Sequence, residues 1–251
     1  MKYNQKYIKD NEEFVKRIYD QIDLMEKRKR MILTPFFSIE QANLCESILQ
    51  NRIYYDKSGG YEDAERVKFL LKPYEDEVTV FDIVCLKATY VSKFSTLTHR
   101  DVLGAILHLG LEREKIGDII VDNENIYIFI DKDIENYIIC NLTKIKRSNV
   151  HFKIYTGFVK RNIQIQYQTK IVSSLRLDVI VASIGNISRK QAQILIKDGC
   201  VKVNHIPLEE TSYLCDNDSA ISIRGYGRFH FKGIVKQTKK ERFVIEVGAY
   251  Q

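Results

Sequence analysis

The chain has 251 residues, of which 45% are hydrophobic and 29% are charged, and its formal net charge is +6. These values are typical of globular proteins and exclude a disordered, collagen-like or coiled-coil chain. No apolar run approaches the roughly 18 residues of a membrane span, and the charged N-terminus lacks the apolar core of a secretory signal. We therefore expect a cytoplasmic protein with about two or three domains and no membrane partner.

Cysteine and histidine spacing gives no sign of a metal or a redox centre. The five cysteines are widely separated and contain no C-x-x-C pair, which predicts buried free thiols. The five histidines lack H-x-x-x-H and H-E-x-x-H spacing, and no glycine-rich nucleotide-binding motif is present. The sequence therefore predicts no metal and no cofactor.

Residues 1–75 are predicted to form a helical N-terminal region. Apolar residues on one face indicate a first helix: Phe14, Val15, Ile18, Ile22 and Met25. A second helix is expected to begin at Ser38, because Ser38 and Gln41 have the spacing of a capping box.

Residues 76–157 are predicted to form an α+β domain of order βαββαβ. A strand over Val78 to Leu86 precedes a helix capped at Thr98, and a hairpin joins strands 118–121 and 126–130. A helix over 134–145 and a strand over 150–155 follow. This order is typical of ferredoxin-like and RRM-like domains. No strand carries the glycine and aromatic pattern of an RRM stacking strand, so the domain is predicted to be a scaffold.

The remaining chain is predicted as residues 158–173, a linker or edge strand, and residues 174–251, a C-terminal domain. Helices are expected over 174–184 and from Ser188, and strands over 201–204 and 220–224. Between Arg224 and Arg242 the sequence has seven basic residues and one acidic residue. This C-terminal charge suits a polyanion such as nucleic acid.

The start of the second C-terminal helix has the chemistry of a phosphate site. Backbone N–H groups and the positive end of the helix dipole meet there, and Arg189 and Lys190 add two charges. Four motifs in order resemble the S-four (alpha-L) RNA-binding domain: Arg176-Leu177-Asp178, Ser188–Ala192, Gly199–Asn204 and Asp218–Arg224. His205 stands where that domain usually has glycine.

The resemblance and the neighbouring polar residues together give a predicted RNA-binding set. Its members are Arg176, Ser188, Arg189, Lys190, Gln193, Lys197, Lys202, Asn204, Arg224 and Arg228.

Further motifs are similar to the YlmH family of Firmicute-type bacteria. They are Thr98–Ala105, Leu109–Ile119, the Gly59-Gly60 loop with Ala64–Arg66, and Arg224–Phe229. The resemblance implies an N-terminal helical part, an RRM-like middle domain and a C-terminal S-four domain with a basic β extension. It implies a non-catalytic factor in ribosome-associated quality control. Its expected partners are large-subunit rRNA, peptidyl-tRNA and the ribosome, and it would support alanine tailing of stalled chains as a monomer.

Two alternatives stay open. One is an RNA-modifying enzyme with its active site in the middle domain, where His99 and Asp101 flank a helix start. Asp178 resembles the aspartate of the R-L-D motif in pseudouridine synthases, but Val179 follows it in place of threonine, so no catalytic residue is assigned. The other alternative is a cell-division-linked interaction protein that docks through its N-terminal helices.

Overall fold

The computed structural model describes residues 11–50, 52–75, 78–91, 96–122, 124–161 and 165–250. The chain divides into two compact units, Met1–Arg161 and Asn162–Gln251, and each is described by itself. Parts of the predicted segments lie outside the described residues: 1–10, 51, 76–77, 92–95, 123, 162–164 and 251. The predicted domain boundaries at residues 75, 157 and 173 stay predictions.

The start of the first unit is only partly helical. Both expected helices are confirmed, as α1 (Glu12–Arg28) and α2 (Ile39–Leu49), and the capping box at the start of α2 is present. The prediction of a helical region over residues 1–75 is wrong for the residues between and after these helices, which form a three-stranded antiparallel sheet in the order β1-β3-β2. Its strands are β1 (Ile32–Leu33), β2 (Tyr54–Ser58) and β3 (Lys68–Lys72). Every residue of β3 is buried, so the strand shows no apolar and polar alternation in the sequence.

The middle part of the first unit has the predicted βαββαβ order. In the described residues it comprises these elements: β4 (Ile83–Thr89), α3 (His99–His108), β5 (Ile116–Val121), β6 (Asn125–Asp131), α4 (Glu135–Asn141), the short hairpin β7 (Lys144–Ile145) and β8 (Ser148–Asn149), and β9 (Lys153–Ile154). The antiparallel sheet order β5-β6-β4-β9 is that of a ferredoxin-like fold. Three boundaries differ from expectation: β4 begins after Val78 and Val80, which are exposed, Ile145 lies in β7, and the strand expected over 150–155 is limited to β9.

A buried carboxylate joins the two parts of the first unit. Asp118 of β5 accepts hydrogen bonds from the Tyr61 hydroxyl at 2.7 Å and from the backbone N–H groups of Glu65 and Arg66 at 2.7 and 3.1 Å. The Arg66 guanidinium donates in turn to backbone carbonyls, including that of Phe36 at 2.9 Å. The loop after β2 is thereby fixed against the ferredoxin-like sheet.

In the second unit, two helices pack on one face of a sheet. Within residues 165–250 the strands form a six-stranded antiparallel sheet in the order β10-β15-β14-β13-β11-β12. The elements are β10 (Ile165–Val172), α5 (Leu177–Gly185), α6 (Arg189–Lys197), β11 (Val201–Val203), β12 (Ile206–Pro207), β13 (Ser219–Ile223), β14 (Gly227–Gln237) and β15 (Phe243–Tyr250). β10 pairs with β15 along its whole length, so the segment predicted as a linker or edge strand holds an edge strand of this sheet. The first helix begins at Leu177 rather than Ser174.

The remaining predictions concern membrane-spanning helices, metal sites and the state of the cysteines. In the described ranges no helix is long and apolar enough to cross a membrane, and no cluster of three metal-ligating side chains occurs. The cysteines are free, as predicted, but not all are buried: Cys45 and Cys215 are, whereas Cys140 is exposed.

Candidate nucleic-acid interface

In the second unit, the buried carboxylate of Asp178 holds cationic side chains near the N-termini of α5 and α6, the two helices that form the helical layer of this unit. Asp178, in the first turn of α5, is 0% exposed. Its carboxylate accepts hydrogen bonds from Arg176 Nε at 3.1 Å, Arg189 Nε at 3.0 Å and Gln193 Nε2 at 2.8 Å. The buried Asp178 carboxylate therefore fixes Arg176, which precedes α5, and both Arg189 and Gln193 of α6.

The protonation state of this cluster is fixed near neutral pH. Burial by itself raises the pKa of an aspartate, but the hydrogen bonds from Arg176, Gln193 and Arg189 outweigh it and hold the pKa of Asp178 at about 2. Both arginine side chains remain partly open to solvent, 36% for Arg176 and 54% for Arg189. A guanidinium has five N–H donors, so it can hold a carboxylate on one edge and a phosphate on another.

The first turn of α6 is capped from within. The N–H of Gln191 donates to Ser188 Oγ at 3.2 Å, and the Ser188 N–H donates to Gln191 Oε1 at 3.4 Å. This confirms the predicted capping box. Lys190 in the first turn and Lys197 in the last turn are exposed. The start of α6 thus combines a helix dipole, an anchored guanidinium and an exposed ammonium group.

The other predicted RNA-binding residues lie on the sheet and its turns. Lys202 alternates along β11 with buried Val201 and Val203, so it faces away from α5 and α6. Asn204 Oδ1 accepts a hydrogen bond from the Ala220 N–H at 2.8 Å, which ties the β11–β12 turn to β13.

Two arginines at the β13–β14 hairpin differ in their surroundings. Arg224 is exposed in the turn between the two strands. The Arg228 guanidinium lies 4.6 Å from the centre of the Tyr250 ring, and its Nη2 lies 3.1 Å from His205 Nε2. The structure therefore divides the predicted set among the helical layer, the opposite face of the sheet and two turns at the ends of its strands. An RNA contact by each member stays a prediction.

Comparisons with known proteins identify the family. Residues 76–156 match a family model described as "Putative RNA-binding domain in YlmH", and residues 175–220 match the model "S4 domain", the S-four domain of the sequence analysis. The chain is 30% identical to "Ribosome-associated protein quality control protein P2" of Bacillus subtilis (strain 168). The alignment extends over 246 residues and covers 96% of each protein. The chain belongs to the YlmH family. The predictions of this family, of its RNA-binding domains and of a mixed α+β fold are confirmed.

A solved structure of a YlmH protein is also similar. It is "Cell division protein ylmH from Streptococcus pneumoniae", which is 28% identical and aligns with a TM-score of 0.53. The alignment covers 62% of the present chain and 94% of that chain.

His99 and Asp101, the residues of the middle part considered for catalysis, lie at the start of α3, where Asp101 caps the helix. The carboxylate of Asp101 accepts hydrogen bonds from the Thr98 N–H and hydroxyl at 2.9 and 2.8 Å and lies 2.7 Å from Lys146 Nζ. The hydrogen bonds from Lys146 and Thr98 hold the pKa of Asp101 at about 2, which makes it a weak base near neutral pH. Burial, reinforced by the charge of Arg113, lowers the pKa of His99. The predicted helix cap at Thr98 is confirmed.

Sequence reasoning missed an aromatic cluster on the ferredoxin-like sheet of this YlmH-type domain. Tyr127 of β6 and Tyr155 have ring centres 5.4 Å apart, and Lys87 Nζ lies 5.2 Å from each ring centre. Phe129, two residues along β6, is 2% exposed because Tyr61 stacks on it at 4.7 Å. The alternation of aromatic and isoleucine residues over 126–130 could have revealed this face, although it lacks the glycines of the RRM pattern.

Proposed function

We propose that the protein is a non-catalytic factor that binds rRNA and tRNA on large ribosomal subunits obstructed by peptidyl-tRNA. In this proposal it acts as a monomer in the cytoplasm and supports C-terminal alanine tailing of stalled chains. The start of α6, where buried Asp178 anchors Arg176 and Arg189 beside exposed Lys190, is the observation that carries the RNA-binding role. The name of the Bacillus subtilis relative supports the ribosomal setting.

The arrangement at α6 suits a phosphate backbone because its charge is positioned before RNA arrives. Asp178 fixes the Nε edge of Arg189, so binding loses less side-chain freedom than it would with an unrestrained arginine. Lys190 adds a mobile ammonium group at the positive end of the helix dipole. Such contacts position a protein on RNA, while the shape of the rRNA and tRNA supplies specificity.

A role by positioning rather than chemistry is supported by the surroundings of the two carboxylates considered for catalysis, Asp101 in the middle part and Asp178 in the second unit. Asp101 is engaged by Thr98 and Lys146, and Asp178 is enclosed by two arginines and a glutamine. Neither carboxylate has the raised pKa that a general acid needs near neutral pH. The enzyme alternative predicts base modification or cleavage of rRNA or tRNA that a His99→Ala/Asp101→Asn variant abolishes, and the proposal predicts none.

Reconstitution with purified large subunits tests the proposal. The full chain is mixed with subunits that carry peptidyl-tRNA or with vacant subunits, and binding and alanine addition are measured. We expect tighter binding to the obstructed subunits and weaker alanine addition with Arg189→Ala/Lys190→Ala. A matched control, Lys27→Ala/Arg28→Ala, removes the same charge from exposed positions in the last turn of α1. Equal binding to both subunit states would overturn the peptidyl-tRNA part of the proposal.

A cell-division role is the second candidate, and the name of the similar Streptococcus pneumoniae protein favours it. Exposed Tyr19 and Leu24, each 38% exposed on α1, would then belong to the docking surface. This role predicts a division defect with Tyr19→Ser/Leu24→Ser while binding to large subunits is unchanged. Normal division in that strain would argue against it.

A further inference from the structure

The sheet of the second unit has a second face, opposite α5 and α6, with its own pattern of side chains. Ile221, Phe231 and Val247 point into the core, so the alternating residues of the same strands point the other way. The strand registers place Ala220, His230, Gly248 and Tyr167 side by side in one row across four strands. The next row contains Lys202, Ser222 and Arg228.

Two tyrosines lie across this outer face. A Cβ atom at Gly248 would lie 2.9 Å from Tyr167 Cδ1 and 2.2 Å from Ile165 Cγ2, so glycine at this position lets side chains of β10 lie over the neighbouring strand. The Tyr167 hydroxyl is 2.8 Å from His230 Nδ1, which fixes the direction of the ring, and the residue is 43% exposed. In the next row, the Arg228 guanidinium lies 4.6 Å from the Tyr250 ring centre.

Cations accompany both rings. Lys232 Nζ lies 5.1 Å from the Tyr167 ring centre and 2.7 Å from Glu246 Oε2, and its side chain is 52% exposed. Arg228 lies over the Tyr250 ring, and Lys202 belongs to the same row as Arg228. Ring faces beside positive charges match the chemistry of an unpaired nucleotide strand, whose bases stack on aromatic rings while its phosphates meet ammonium and guanidinium groups.

We propose that this outer face, built on Tyr167, His230, Arg228 and Tyr250, is a second RNA-binding surface that takes a single-stranded segment by base stacking. It rests on the proposed function in that the RNA would belong to the ribosome or tRNA. Four of its residues, Tyr167, Arg228, His230 and Tyr250, lie outside residues 175–220, the part that matches the S4 model. The charge of the strip from Arg224 to Arg242 favours this polyanion, and the ordered rings favour unpaired bases over a duplex or an acidic peptide.

Binding of the full chain to a fluorescein-labelled oligoadenylate of about 12 nucleotides tests this surface, with an RNA duplex and polyglutamate as competitors. We expect Tyr167→Leu and Tyr250→Leu each to weaken oligoadenylate binding about tenfold. Tyr167→Phe, which keeps the ring and loses the hydroxyl contact with His230, should bind within about twofold of the wild type. Tyr54→Leu is the matched control, since Tyr54 is an exposed strand tyrosine of the first unit.

The outcomes separate this surface from the α6 site. Oligoadenylate binding that is absent in the wild type, unchanged in both leucine variants, or displaced equally well by duplex or polyglutamate would overturn the stacking surface. Arg189→Ala/Lys190→Ala should leave oligoadenylate affinity within about threefold while it weakens binding to large subunits. Failure of the wild type to bind large subunits, whatever its affinity for oligoadenylate, would instead overturn the proposed function.

Discussion

Arg189 Nε donates a 3.0 Å hydrogen bond to Oδ2 of Asp178, a carboxylate that solvent does not reach. The residue expected to touch RNA is therefore held by a charge inside the protein. The same carboxylate binds Arg176 and Gln193, so the R-L-D motif here positions side chains. This pairing accounts for an aspartate in the first turn of a mostly apolar helix.

Replacing Asp178 by asparagine removes the charge and keeps the shape. We expect Asp178→Asn to lower the free energy of unfolding by about 2 kcal/mol, since charge-assisted hydrogen bonds from two arginines are weakened in a buried site. Urea denaturation at neutral pH measures the change. Asp198→Asn, at an exposed position just after α6, is the control and should change stability by less than about 0.5 kcal/mol.

The pH dependence of the same variant follows from the lowered pKa. The pKa of Asp178 is about 2 in the folded protein against an ordinary value of 3.8, so its stabilisation is present above about pH 4 and is lost as the pH falls towards 2. The stability difference between wild type and Asp178→Asn should therefore shrink over that interval. A difference that stays constant between about pH 5 and pH 2 would show that the carboxylate does not titrate as described.

The β11–β12 turn carries strain at His205. Asn204 and His205 both have positive φ, 49° and 69°, as the two central residues of a type I′ turn do, and glycine is the favoured second residue there. We expect His205→Gly to be more stable than His205→Ala by about 1 kcal/mol, because both lose the imidazole and only glycine relieves the backbone. Thermal unfolding of the two variants measures this, and equal stability would mean that the turn is unstrained.

Two glycines of the first unit should respond to alanine in opposite directions. A Cβ at Gly60, whose φ is +92°, would lie 2.7 Å from Phe129 Cδ1, whereas a Cβ at Gly104 in α3 would meet nothing within 4 Å. Gly60→Ala should destabilise by about 2 kcal/mol, and Gly104→Ala should stabilise by about 0.5 kcal/mol. Chemical denaturation measures the free energy of unfolding of both variants. An unchanged free energy in Gly60→Ala would contradict the close packing of this loop on β6.

Local signals in the sequence were reliable where a motif acts on its own neighbours. The capping boxes at Ser38, Thr98 and Ser188 depend on side chains three residues apart, and all three are present. The strand β3 was missed because Phe69, Leu70 and Leu71 are consecutive and buried, which hides the period of a strand.

Long-range partners could not be predicted from spacing. Tyr61 covers Phe129 from 68 positions away in the chain, and Asp118 collects donors from the loop after β2. The row that Lys202 shares with Ser222 and Arg228 was hidden for the same reason, since only the strand registers place these residues side by side. The pattern of one sequence predicts which side of a helix or strand is apolar. It does not predict which other element that side contacts.

Sedimentation with large subunits at several salt concentrations tests the central claim most directly. We expect the wild type to travel with subunits that carry peptidyl-tRNA and to dissociate as salt rises. The slope of log affinity against log salt should fall by about two in Arg189→Ala/Lys190→Ala and by about one in Lys190→Ala, which leaves the Asp178 cluster intact. Lys27→Ala/Arg28→Ala should keep the wild-type slope. A wild type that stays at the top of the gradient, or an unchanged slope in the double variant, would contradict the account.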